Sequence, residues 1–141
     1  MASIFTQIIA GEIPGRFVYQ DDRAVVFLDA FPQTDGHLLV VPREEIDRWT
    51  DLPADLAAHL FAIAHRIAPV LREEIGCERI GVVIEGFAVP HTHIHLFPAN
   101  SPADFDSAHP SGATDGSVQD EMCARIRTAL RNAGMGEYVP N

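Results

Sequence analysis

The chain carries three histidines at alternate positions, His91, His93 and His95, inside the run His91-Thr92-His93-Ile94-His95-Leu96-Phe97-Pro98. If that run is a strand, its two-residue period sends all three imidazoles to one face and Ile94 and Leu96 to the other. The apolar face can then rest on a core while the imidazoles line an open surface. Two chemistries suit such a row. Neutral imidazoles are good zinc ligands, with water completing the coordination. Same-face neighbours on one strand stand about 6.5–7 Å apart, however, so two of them converge on one ion readily and three in a row poorly. The other chemistry is nucleophilic. A neutral imidazole with one nitrogen pinned by a hydrogen bond keeps the other free to attack phosphorus near neutral pH. Its flanking imidazoles can orient it and meet the developing charge.

The rest of the chain must hold that row in place. Ser3 is a good helix N-cap, and Ile4, Phe5, Ile8 and Ile9 follow at helical spacing until Gly11 and Pro14-Gly15 stop them. Residues 16–20 and 24–28 read as strands joined through Asp21-Asp22-Arg23, and 37–41 as a third strand stopped by Pro42. From Pro53 a long helix carries the apolar stripe Leu56, Leu60, Ile63, Ile67, Val70 and Leu71. Pro69 predicts a kink or an early end there, because it removes a helix hydrogen bond and crowds the His65 carbonyl. Residues 79–85 and 92–97 read as two further strands around a turn at 86–90.

The stretch 100–116, rich in Ser, Ala, Asp, Pro and Gly, reads as a loop rather than a packed element. Ser117-Val118-Gln119-Asp120 matches a capping box opening a final helix, whose stripe is Met122, Ile126, Ala129, Leu130 and Ala133 and whose end is Gly134. The sum is an α+β domain built on a five-stranded antiparallel sheet. Residues 1–105 form its main unit, and 106–141 add a flexible loop and a C-terminal helix packed on the same domain.

Composition narrows the function further. A length of 141 residues suits one domain with a real core. All ten basic residues are arginine, so Schiff-base or other lysine chemistry is excluded. Twenty acidic residues give a formal net charge of −10, which argues against a nucleic-acid backbone or an anionic membrane as partner. No apolar run approaches the roughly 18–20 residues of a membrane span. The start, Met1-Ala2-Ser3-Ile4-Phe5, lacks the basic segment of an export signal. Cys77 and Cys123 fall outside any metal or redox spacing and read as reduced thiols of a cytoplasmic protein.

Several segments together carry a family resemblance. His91–Pro98 resembles the H-x-H-x-H-apolar-apolar-P run of the histidine-triad nucleotide-binding superfamily. SIFTQIIAGEIP at 3–14, VYQDD at 18–22, VFLD at 26–29 and GHLLVVP at 36–42, followed by Arg43-Glu44-Glu45-Ile46, are similar to that family in order and spacing. The resemblance covers roughly residues 3–100. It implies a homodimer that binds an AMP-type purine nucleotide and attacks its α-phosphorus without a metal cofactor, although a divalent ion could accompany a polyphosphate substrate. His93 would be the nucleophile forming a nucleotidyl-histidine, His95 would contact the α-phosphate, and His91 would support the site through hydrogen bonds. Phe27 would cradle the base, Asp29 would hold the ribose hydroxyls, and Ile4, Phe5, Ile8 and Leu39 would surround the base. His37 also matches a family position, without an assigned role. The implied substrates are nucleoside phosphoramidates, adenylates or dinucleoside polyphosphates.

The chain departs from the pattern twice. Where many bacterial members hold a structural zinc with two cysteines and a histidine besides the first triad histidine, this chain has Ser3, Thr6 and Glu45. Ahead of the triad, Ile84-Glu85-Gly86-Phe87-Ala88-Val89-Pro90 lacks the family's asparagine and Gln or Ser. That leaves main-chain N–H groups near Ala88 and Val89 to meet a phosphate. The altered loop keeps open a second reading, a nucleotide-binding regulatory protein with vestigial catalysis. The formal charge treats every histidine as neutral, an expectation that fits His93 best and His95 least.

Overall fold

The computed structural model describes all of residues 1–141. Its elements are α1 (Ile4–Ile9), β1 (Phe17–Gln20), β2 (Ala24–Leu28), β3 (Leu38–Pro42), α2 (Ala54–Ile75), β4 (Arg79–Val83), β5 (Ile94–Ala99) and α3 (Gly116–Leu130). The strands form one antiparallel sheet in the order β1-β2-β3-β5-β4. This is the α+β class the sequence implies.

Strand alternation gives the sheet two unlike faces. Val26, Leu28, Leu38, Val40, Ile94 and Leu96 point to the face where the α2 stripe packs, joined by Met122, Ile126 and Leu130 of α3. Val25, Phe27, Leu39 and Val41 point to the other face, where Phe5 and Ile8 of the short α1 cover them. Register aligns Phe27, Leu39, His95 and Val83 in one row across β2, β3, β5 and β4. The small second face therefore delivers His95 to a pocket wall, while the larger core supports it from behind.

Five local expectations need correction. The strand at the histidines is Ile94–Ala99 rather than 92–97, so His91 and His93 lie in the approach to β5 and only His95 is within it. It continues through Pro98 because the last β3 partner is Leu96, and past that point only β4 pairs with the strand. Helix α2 neither breaks nor ends at Pro69 but runs on to Ile75 and closes on Gly76, at φ 76°. Pro69 lies on the exposed side, where the freed His65 carbonyl reaches water, while Ile67 and Leu71 anchor the helix on either side of it. The α2 helix is long and apolar enough by composition to cross a membrane, yet its apolar stripe is spent on the sheet.

The C-terminal helix starts earlier than its sequence suggests. Asp115 is the N-cap, accepting from the N–H groups of Ser117 and Val118. Ala133 is exposed, beyond the helix end, in a turn where Gly134 takes φ 88°. The stretch 100–116 is not free of packing either. Pro102–Phe105 makes a 3-10 turn whose Phe105 ring meets Phe97 edge-on at 4.9 Å.

Candidate active site

Two short helical and strand-end devices fix the histidines. The Ser3 hydroxyl caps α1 by accepting from the Thr6 N–H at 3.0 Å, and it also stands 2.7 Å from His91 Nδ1. His91 is fully buried, with Nε2 2.8 Å from the Pro42 carbonyl, an acceptor only. That oxygen requires a proton on Nε2, so Nδ1 accepts from Ser3. Glu45 completes the network, taking the Ser3 N–H at 2.6 Å and the Thr6 hydroxyl at 2.7 Å.

These residues stand at the positions where the family resemblance implies a structural zinc in many bacterial members. Two hydroxyls and a carboxylate that already bond to one another make a poor zinc set beside thiolate or imidazole. Ser3, Thr6, Glu45 and His91 therefore do not fit that metal.

The next histidine faces the pocket. His93 Nδ1 lies 2.7 Å from the His91 carbonyl, so Nδ1 carries the proton and Nε2 keeps its lone pair. Phe5 meets the His93 ring edge-on at 4.8 Å and His95 meets it at 4.7 Å, holding its plane. His95 in turn bonds to His37, Nδ1 to Nε2, at 2.9 Å. The Gln33 N–H donates to His37 Nδ1 at 2.8 Å, so the single proton of neutral His37 sits on Nε2 and is given to His95 Nδ1. His95 must then carry its own proton on Nε2, which bonds to no protein group.

Charge follows from the same geometry. Burial, with the neighbouring imidazoles, lowers His37 to about 3 and His95 to about 4. His95, expected to be the least secure as a neutral group, is thus held neutral at pH 7. Burial also lowers His91 and raises Asp29. Asp29, His37 and His95 bring ligand atoms within 4.8 Å of one another, a spacing compatible with a cation. The Gln33 N–H nevertheless forces the proton onto His37 Nε2, leaving no lone pair there, so this cluster holds a proton in place of a metal ion.

A cavity of about 410 Å³ opens onto His93 and His95. Phe27, Leu39, Ile4, Phe5 and Ile8 make its apolar wall, and Asp29 stands at its polar end with Oδ1 held by the Phe31 N–H at 2.9 Å. Ala88 and Val89 line it too, and their N–H groups donate to nothing in the protein. Ten of the eleven residues singled out from sequence thus meet at one cavity, and His91 sits behind His93. Sequence reasoning left His37 without a role and missed Gln33, Arg16 and the exposed Phe31 and Phe87 at the cavity mouth. The signal for His37 was its alternation with Leu39, which puts both on the face of His95.

Known proteins resemble this chain throughout. The family model described as HIT domain matches residues 10–101. An uncharacterised HIT-like protein of Methanocaldococcus jannaschii is 34% identical over 100 residues, which span 67% of this chain and 77% of the relative. Protein hit of Bacillus subtilis is 36% identical over 106 residues, 72% of this chain and 73% of that protein. A zinc-bound histidine triad family protein from Mycobacterium smegmatis superposes with a TM-score of 0.81 at 27% identity, covering 96% of this chain and 98% of that one.

Proposed function

The chain belongs to the HIT domain family, and from that premise we propose that it is a nucleotide-binding hydrolase or transferase acting at the α-phosphorus through a nucleotidyl-histidine. The observation that carries this reading is the 2.7 Å contact from His93 Nδ1 to the His91 carbonyl, which frees Nε2 toward the cavity. The apolar wall accepts a purine, and the Asp29 carboxylate accepts the ribose hydroxyls. The α-phosphate then lies against His93, met by the Ala88 and Val89 N–H groups and by the His95 Nε2 proton.

His93 Nε2 donates its lone pair to phosphorus while the opposite bond breaks. The leaving group departs with that bonding pair and takes a proton from water. The hydroxide so formed, or a second water, then opens the phosphorus–nitrogen bond to His93, returning the imidazole and releasing the nucleotide. The neutral His95 hydrogen-bonds the developing charge throughout and gives up no proton.

We further propose a cytoplasmic homodimer. Strand β4 is a sheet edge with Val82 half exposed, beside a shallow depression of about 740 Å³ that continues along His65, Pro69, Cys77 and Ile80.

Steady-state turnover of an adenosine phosphoramidate, in the presence of a chelator, tests the activity. The wild-type chain is expected to turn over, and His93→Ala to lose on the order of 10⁴-fold or more in kcat. Nucleotide binding with no turnover, unchanged by His93→Ala, would instead establish the regulatory reading that the altered loop suggests.

A further inference from the structure

Beyond residues 10–101, which the family model matches, residues 106–119 return to the loop that joins β2 to β3. Four contacts converge on that loop. Gln33 Nε2 donates to the Asp106 carbonyl at 2.8 Å, and the Ser111 N–H donates to the Gln33 carbonyl at 2.9 Å. The Ala113 N–H donates to Asp35 Oδ1 at 2.7 Å. Gly112 lies so close to Pro32 that a Cβ would come within 2.6 Å of the Pro32 carbonyl oxygen. From the helix, Gln119 Nε2 reaches the Ala113 carbonyl at 3.0 Å and the Asp29 carbonyl at 3.4 Å. The Asp106 carboxylate shapes the far end of the segment by taking the Ala108 N–H at 3.0 Å and standing 2.8 Å from His109 Nδ1.

Gln33 is thus gripped by its side chain and its carbonyl, and its remaining polar group, the N–H, points at His37 Nδ1. We propose that the segment Asp106–Ala113 is a clamp that sets which nitrogen of His95 presents a proton to the substrate, with Gln33 as the positioning residue through which it acts. A neutral imidazole has one proton and one lone pair, so a chain of such rings has a direction. With the Gln33 N–H in place, each ring along Gln33–His37–His95 accepts at Nδ1 and donates at Nε2, and the chain ends as a donor in the cavity. Once Gln33 moves away, His37 is free to hold its proton on Nδ1 and accept from His95. His95 then turns a lone pair toward a phosphate oxygen, exchanging attraction for repulsion. The consequence for catalysis rests on the proposed reaction; the direction of the imidazole chain does not.

Long-range proton–nitrogen NMR of the histidine rings in the full chain reads that direction without any substrate. In the wild-type protein at pH 7, His37 and His95 are both expected as the Nε2–H tautomer. Gly112→Val drives the segment off Pro32 without touching the cavity. It should leave the chain folded, mix the tautomers of both rings, and lower kcat for an adenosine phosphoramidate about tenfold with KM changed by less than about twofold, the loss of one charge-assisted hydrogen bond in the transition state. Ser111→Pro, which deletes the N–H to Gln33, is the second variant should Gly112→Val not fold. An Nδ1–H tautomer at His37 in the wild type would overturn the proposal, as would folded variants with unchanged tautomers and kcat. Correct tautomers in a protein that turns over no phosphoramidate would sink the proposed reaction and leave the clamp standing.

Discussion

At the residue scale the site is a set of proton positions. Three backbone groups, the carbonyls of Pro42 and His91 and the N–H of Gln33, each fix one imidazole nitrogen, and the fourth ring follows from its neighbour. Alternation, a local property, brought His93 and His95 to one cavity, but not His91, which is fully buried behind His93. It could not order their protons, since the deciding groups are main-chain carbonyls and an N–H whose direction depends on the folded backbone, one of them, the Pro42 carbonyl, from another strand. Neutrality of the buried rings has a measurable consequence. His37 and His95 titrate at about 3 and about 4 in the folded protein, against about 6.5 for an unfolded histidine. Between those limits the unfolded chain binds protons that the folded chain does not, so stability is full above about pH 6.5 and falls as pH drops toward about 4. Denaturant midpoints measured at descending pH should fall through that window, at up to about 1.4 kcal/mol per pH unit for each histidine. Asp29, raised by burial, opposes this only near the carboxylate range. A midpoint that rises on acidification from neutral pH would contradict a neutral pair.

At the element scale, sequence patterning served well wherever one face is buried. The α2 stripe and the β2 boundaries stand where their apolar residues put them. It served less well where tertiary contacts overrode a local rule. Pro69 was read as a breaker, yet the burial of Ile67 and Leu71 holds the helix across it. Restoring the missing N–H with Pro69→Ala should therefore stabilise the protein by about 1–3 kcal/mol, seen as a higher calorimetric midpoint. An unchanged or lower midpoint would mean that the proline costs the helix nothing. The capping box at Ser117 lost to Asp115 because the aspartate carboxylate accepts from both the Ser117 and Val118 N–H groups. The stretch 100–116 looked like loop by composition, and its contacts with Gln33, Asp35 and Phe97 are made through backbone groups and one ring that composition does not register.

At the scale of the whole molecule, two features pull in different directions. A net charge of −10 repels an anionic ligand at long range, so the proposed nucleotide would depend on local donors for its phosphate, the main-chain N–H groups and the neutral His95. The edge strand β4, with Val82 half exposed, is where the proposed dimer would form. Light scattering on the purified chain should give about twice its 15.4 kDa mass, and a monomer at micromolar concentration would refute the dimer. The proposed reaction rests on a covalent intermediate on the one imidazole whose free nitrogen faces the cavity. Its most direct test is rapid acid-free quenching of the protein with an adenosine phosphoramidate, followed by mass spectrometry of the peptide containing 91–98. An adenylyl group on His93, formed at the rate of leaving-group release and absent in His93→Ala, is the expected result. Turnover with no adduct on His93, or an adduct on another residue, would contradict the account.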